Sequence, residues 1–243
     1  PGQDTKHHHF QRKDNKMGTS KGYIPPTRIQ WTNAKRAVTQ MLNDRDASSI
    51  AKAASRFATA MKADATSTST FSKAASGLLG LSKAISGLGT TDALNQINRQ
   101  DLIGKSSEEI WNELLHEFTN GGSTAEDQLA ADALSKTLEN LRILDLEQLG
   151  QIQQDVLLLE ILINFVSINF EYRFAEKIGK DRSPIEASRI IKEIQDYIRS
   201  NLYENLKISD INAVDFFGLS SSQYVDNALM DAYSIFEKLY MEE

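Results

Sequence analysis

Val156-Leu157-Leu158-Leu159-Glu160-Ile161-Leu162-Ile163-Asn164-Phe165-Val166-Ser167-Ile168-Asn169-Phe170 is the longest apolar run in the chain. At 3.6 residues per turn its apolar side chains go nearly all the way round, so a helix here has to be covered on most sides. The run is about fifteen residues long and is interrupted by Glu160, Asn164 and Asn169, short of the roughly 20 that a membrane-spanning helix requires. It therefore predicts a buried central helix around which others are laid. Glu160 stands out within it, because an unpaired carboxylate in such surroundings is costly. It is expected to reach an edge or meet an Arg or Lys, in preference to serving as a catalytic acid.

Outward from this run the same period continues in both directions, with apolar residues recurring at three and four and very little β-branched alternation. Helices are expected at about 31–43, 47–64, 69–88, 106–119, 124–141, 145–179, 184–205 and 221–240, the last two being natural covers for the central one. Three of the four prolines, Pro1, Pro25 and Pro26, lie in the first 26 residues, which leaves long stretches free to be helical. Ser106-Ser107-Glu108-Glu109 places acidic residues at the positive end of one helix, and Ser183-Pro184 with Glu186 opens another as cap, first-turn proline and capping glutamate. The expectation is an all-α, multi-helix bundle. Within it, 29–120 reads as an Ala/Gly/Ser-rich helical subdomain and 121–243 as an acidic long-helix bundle, the two being either separate units or one domain.

Between Phe71 and Leu88, Gly77, Gly80 and Gly87 sit with Ser and Ala among Leu78, Leu79, Leu81, Ile85 and Leu88. Small residues in this arrangement let helices approach closely. A membrane-active hairpin is the competing interpretation, but Ser72, Lys73, Ser82 and Lys83 are expected to keep one face polar.

The 243 residues include no cysteine, which removes disulfides, thiolate metal sites and cysteine nucleophiles together, and suits a cytoplasmic protein. The net charge of −6 is unevenly spread: residues 1–120 hold 16 Lys and Arg against 11 Asp and Glu, residues 121–243 hold 11 against 22. So acidic a C-terminal half is a poor surface for phosphate backbones, and direct nucleic-acid binding is not expected. The sequence contains no glycine loop ending in Lys-Ser/Thr, no dinucleotide fingerprint, no HExxH and no GxSxG. Outside a triple His7-His8-His9 the one histidine is His116, on a helix with Glu109, Glu113 and Glu117; a solvated acidic face explains that set better than a metal site. No active site, metal or cofactor is expected.

The first 28 residues are polar, rich in Gly, Lys, Asp and Asn, and nearly free of large aliphatics, the composition of a disordered segment. Residues 1–16, with their three histidines, read as a tag-like leader or upstream read-through, and Met17 as a start. Met17 is followed by Gly18-Thr19-Ser20-Lys21-Gly22, then Tyr23 and two prolines. Gly22, the sixth residue counting Met17 as the first, is wrong for myristoylation, which wants Ser or Thr there.

This start, the proline-containing linker and the helix with Arg28, Lys35 and Arg36 resemble the QatB family of bacterial anti-phage defence operons. The resemblance continues through Ala53-Ala54-Ser55-Arg56-Phe57, the small-residue stretch 67–89, Leu102-Ile103-Gly104-Lys105-Ser106-Ser107-Glu108-Glu109-Ile110 and Lys192-Glu193-Ile194-Gln195-Asp196-Tyr197-Ile198-Arg199. It covers most of residues 17–206 and rests on the order of these segments. It implies a non-enzymatic member of a four-component system, whose partners are an ATPase (QatA-like), a QueC-like enzyme (QatC-like) and a TatD-like nuclease (QatD-like). It also implies that the QueC-like enzyme conjugates a deazaguanine to the α-amine of Gly18, with Thr19, Ser20 and Lys21 recognised as the tail; this requires that Gly18 be a free N-terminus. The alternative is a helical adaptor that binds and regulates the ATPase or nuclease without covalent change.

Overall fold

A computed structural model describes residues 28–64, 69–218 and 220–241. The expected disordered tail, and with it Gly18, Thr19, Ser20 and Lys21, lies outside the described residues. Among those described there are ten α-helices and no strand, in agreement with the all-α expectation. In order they are α1 (Ile29–Asp44), α2 (Ala47–Ala63), α3 (Ser69–Leu88), α4 (Thr90–Gln96), α5 (Ser107–Phe118), α6 (Ala125–Asn140), α7 (Leu146–Gly150), α8 (Gln154–Gly179), α9 (Pro184–Asn205) and α10 (Ser221–Met241).

The central apolar run lies in α8, and Leu157, Leu158, Ile161, Leu162, Phe165, Val166, Phe170, Phe174 and Ile178 are all buried. Helices α6 and α9 flank it, and α3 and α1 close further sides. Toward the end of α8 four helices meet in an aromatic cluster: the ring of Phe57 on α2 stands edge-on to Phe170 on α8 at 5.2 Å, to Trp31 on α1 at 6.3 Å and to Tyr233 on α10 at 6.2 Å. Nearer the middle of α8, Phe71 of α3 stacks on Phe165 with centroids 3.7 Å apart. Such ring pairs contribute roughly 0.5–1.5 kcal/mol each beyond their buried area. The alanines of α2, among them Ala53, Ala54, Ala58 and Ala60, are buried and let α1 and α10 pack on it from two sides.

Expected and observed helices coincide closely except in two places. The single helix expected over 145–179 is two, because α7 folds onto α3 and buries Leu146 and Leu149, a contact that a straight continuation into α8 would break. Gly150 makes the approach possible: a Cβ there would lie 2.5 Å from Ile85 Cγ2. The second difference is α4, a two-turn helix that buries Ala93 and Leu94 immediately after Gly89, whose φ of 85° suits glycine.

The segment rich in small residues is one buried helix, α3, and its small residues are contact points. Gly77 lies under the Phe118 ring, with a Cβ there only 2.8 Å from Phe118 Cδ1. The polar face expected on α3 is half right. Lys73 and Lys83 are exposed, but Ser72 and Ser82 are fully buried. Ser72 donates to the Asp226 carboxylate on α10, and Ser82 donates to the Leu149 carbonyl on α7 at 3.0 Å, so both hydroxyls serve as inter-helix ties. No helix among the described residues is long and apolar enough to cross a membrane.

Candidate functional site

The functional residues expected from the sequence precede α1, so the structure bears on them through the point where they join the body. Arg28 is the N-cap of α1, with extended backbone, and its guanidinium Nη1 donates to the Ala63 carbonyl at the end of α2 over 2.8 Å. One turn on, Trp31 is buried in the aromatic cluster. The residues before Arg28 therefore depart from a fixed point, held by a hydrogen bond on one side and a buried indole on the other.

Glu160 meets an arginine, as its surroundings require. Arg199 on α9 clasps it with two hydrogen bonds, Nη1 to Oε2 at 2.8 Å and Nη2 to Oε1 at 2.6 Å. Asn140 on α6 donates to Oε1 at 2.9 Å and to the Asn164 side-chain oxygen at 3.2 Å, while Asn164 donates to Thr137 at 3.0 Å. Of these side chains, Asn140, Asn164 and Arg199 line a cavity of about 380 Å³ between α6, α8 and α9. Burial pushes the Glu160 carboxyl up, but the hydrogen bonds and the positive charge of Arg199 outweigh it and hold the group below the ordinary value of 4.5. Glu160 is thus an ionised tie between three helices near neutral pH, not a proton donor.

The acidic residues around His116 are not assembled on a ligand. Glu109 turns back to the Ser106 hydroxyl and backbone, completing a capping box. Glu113 and Glu117 both pair with Arg99, at 3.2 and 2.6 Å, and Asp101 joins them at 3.0 Å. The hydrogen bonds that Arg99 donates to the Asp101 and Glu117 carboxylates raise its pKa further above its already high value. His116 instead lies near Gly121, at the turn that ends α5. Among the described residues no three His, Asp or Glu side chains converge as metal ligands do.

A family model described as Qat anti-phage system associated protein QatB matches residues 59–236. The chain belongs to the QatB family. No curated protein and no solved structure matches it. The QatB match begins in the last turns of α2 and ends in α10, so the helical body carries it, and α8 with its Glu160 network lies wholly inside. Gly18, Thr19, Ser20 and Lys21 lie before it.

Within this QatB-family body, sequence reasoning placed Glu160 correctly but named none of its partners. Asn164 was accessible as a neighbour one turn on from Glu160, and Thr137 and Asn140 share a face of α6 at a spacing of three. Nothing local joins either pair to Arg199, which is 39 residues from Glu160 in the chain.

Proposed function

We propose that this member of the Qat anti-phage system is a non-catalytic component whose N-terminal tail is its working part, a protein substrate for a QueC-like enzyme that attaches a deazaguanine to the α-amine of Gly18. The observation that carries this reading is membership of the QatB family together with the sequence Met17-Gly18-Thr19-Ser20-Lys21 ahead of the helical body. In the step envisaged, the carboxylate oxygen of the deazaguanine first attacks the α-phosphorus of ATP on the enzyme, forming an acyl-adenylate and releasing pyrophosphate. The neutral amine of Gly18 then attacks the acyl carbon; a C–N amide bond forms, the C–O bond to AMP breaks, and the amine releases a proton to solvent.

The physical chemistry supports Gly18 in that role. An α-amino group has a pKa of about 7.7–8.0, against about 10.4 for lysine, so an appreciable fraction is neutral and nucleophilic at physiological pH. Glycine places nothing beside the amine, and Thr19 and Ser20 are slim hydrogen-bonding residues suited to a narrow cleft. Ten residues separate Gly18 from the anchored Arg28, a reach of at most about 35 Å, enough to enter a partner's active site while the body docks outside. QatA-like and QatD-like partners, an ATPase and a TatD-like nuclease, complete the system in this reading, at work in the cytoplasm.

The test is intact-mass and N-terminal peptide spectrometry on protein expressed from Met17, with and without the neighbouring operon genes. A deazaguanine-sized adduct on Gly18 that requires the QueC-like gene is the expected result, and Gly18→Pro is expected to abolish defence. An unmodified Gly18 in an operon that still protects would refute conjugation and leave the adaptor role.

A further inference from the structure

Most cations of the body are committed to a partner. Arg45 pairs with Glu193, Lys62 with Glu237, Lys192 with Asp196 and Arg199 with Glu160, while Lys83 donates to the carbonyls of Asn212 and Val214. The side chains of Lys35, Lys177 and Lys180 make no hydrogen bond or ion pair among the described residues, which is also true of scattered cations such as Arg36, Lys73 and Lys105; what sets the three apart is that they share one place. They converge with Arg173 on one groove of about 640 Å³ between α1 and the last turns of α8, where Glu176 is the sole carboxylate and the edge of Phe174 contributes to the wall. The Arg173 guanidinium is itself fixed in place, 4.2 Å above the Trp31 ring.

We propose that this groove binds a compact polyphosphate anion of nucleotide size. Leaving aside Arg173, whose guanidinium is already engaged, three lysines against one carboxylate leave the lining about two positive charges in excess. The negative end of the α8 dipole, roughly half a charge, offsets only part of that, so complementing the helix end does not account for all three. A volume of about 640 Å³ falls within the range of pockets for small ligands, roughly 300–1,000 Å³. Residues 121–243 carry 22 Asp and Glu against 11 Lys and Arg, and a surface so acidic repels an extended polyanion while leaving a compact one free to enter. The preceding tail is no better suited as an occupant: residues 1–27 contain five Lys and Arg against two Asp, and so have no excess of negative charge to offer a cationic groove.

The test uses the full chain, titrated calorimetrically with ATP, with inorganic tripolyphosphate and with a short single-stranded oligonucleotide. Saturable one-to-one binding of ATP, tripolyphosphate or both is expected, weakened at least about tenfold in Lys177→Gln/Lys180→Gln and unchanged in Lys192→Gln, whose lysine pairs on α9. Equal affinities would identify the phosphates alone as the ligand, and tighter binding of ATP would add a nucleoside contact; each supports the site. Absence of saturation up to about 1 mM of either anion, binding indifferent to the double variant, or tighter binding of the oligonucleotide than of both would overturn it. Circular dichroism of the free variants confirms that they are folded, since these lysines form no internal contact that folding needs.

Discussion

Arg199→Met isolates what the clasp on Glu160 contributes. The Glu160 side chain is 6% exposed and the Arg199 side chain 39%, so the substitution strands a carboxylate in the interior while removing a partner that water already reaches. Losing one member of a fully buried ion pair costs about 3–5 kcal/mol. The exposure of Arg199 and the surviving donors Asn140 and Asn164 reduce this to about 2–3 kcal/mol. With a urea slope of roughly 2–3 kcal/mol/M for a chain of this size, the unfolding midpoint at pH 7, followed by far-ultraviolet circular dichroism, should fall by about 1 M. Glu160→Leu/Arg199→Met removes both charges and should return to within about 1 kcal/mol of the parent. The effect of pH has a definite sign. In the parent the Glu160 carboxyl is held below 4.5, so its stabilisation is complete above that pH and is lost as pH falls through the folded value. In Arg199→Met burial acts without the guanidinium and raises the carboxyl, so protonation relieves the stranded charge. The gap between variant and parent should therefore narrow from pH 7 toward pH 4. A loss below about 0.5 kcal/mol, or a gap that does not change with pH, would refute the electrostatic account of this network.

Two further perturbations probe the packing and the acid limit. Gly150→Ala drives a methyl to 2.5 Å from Ile85 Cγ2 and 3.2 Å from the Ser86 backbone nitrogen, and should cost about 1–3 kcal/mol. In the Gly150→Ala background Ile85→Ala should cost less than it does alone, and additive losses by denaturant melts would argue that α7 does not pack there. Asp127 is opposed by burial but accepts hydrogen bonds from Ser123, Thr70 and Thr124, which bring its carboxyl from 3.8 to about 2. Because the folded value is the lower one, its contribution is present above pH 3.8 and disappears as pH falls toward 2. Asp127→Asn should accordingly flatten the loss of stability across that interval, and an unaltered acid limb in pH-jump unfolding would contradict the assignment.

Legibility followed the range of the interactions. Caps are local, so the acidic first turn after Ser106 and the Ser183 cap were readable; Ser106 completes a capping box with Glu109, while at Ser183 the hydroxyl accepts from the Glu186 backbone but the Glu186 carboxylate does not reach back. The two exceptions depended on distant partners. Residues 145–153 carry no proline and no strong stop apart from Gly150; the turn there exists because α3, some 65 residues earlier, presents Ile85 to that glycine. Ser72 and Ser82 looked like solvent-facing positions because hydroxyls cost little in water, and they are buried because Asp226 and the Leu149 carbonyl lie opposite. The groove at Lys35 was equally hidden, since Lys35 and Lys177 are 142 positions apart and become neighbours only when Trp31 and Phe174 pack together.

Hydrophobic periodicity by itself determined that this chain is helical, that 156–170 lies at its centre and that Glu160 needs a cation, because each depends on a few turns of one helix and on the cost of removing charge from water. The tail sequence at Gly18 is likewise a property of the chain alone. Tertiary structure decided which cation answers Glu160, which small residues are contacts and where unpartnered lysines collect. Those outcomes depend on side chains brought together from distant helices by burial of a shared aromatic core, and no local pattern encodes the meeting.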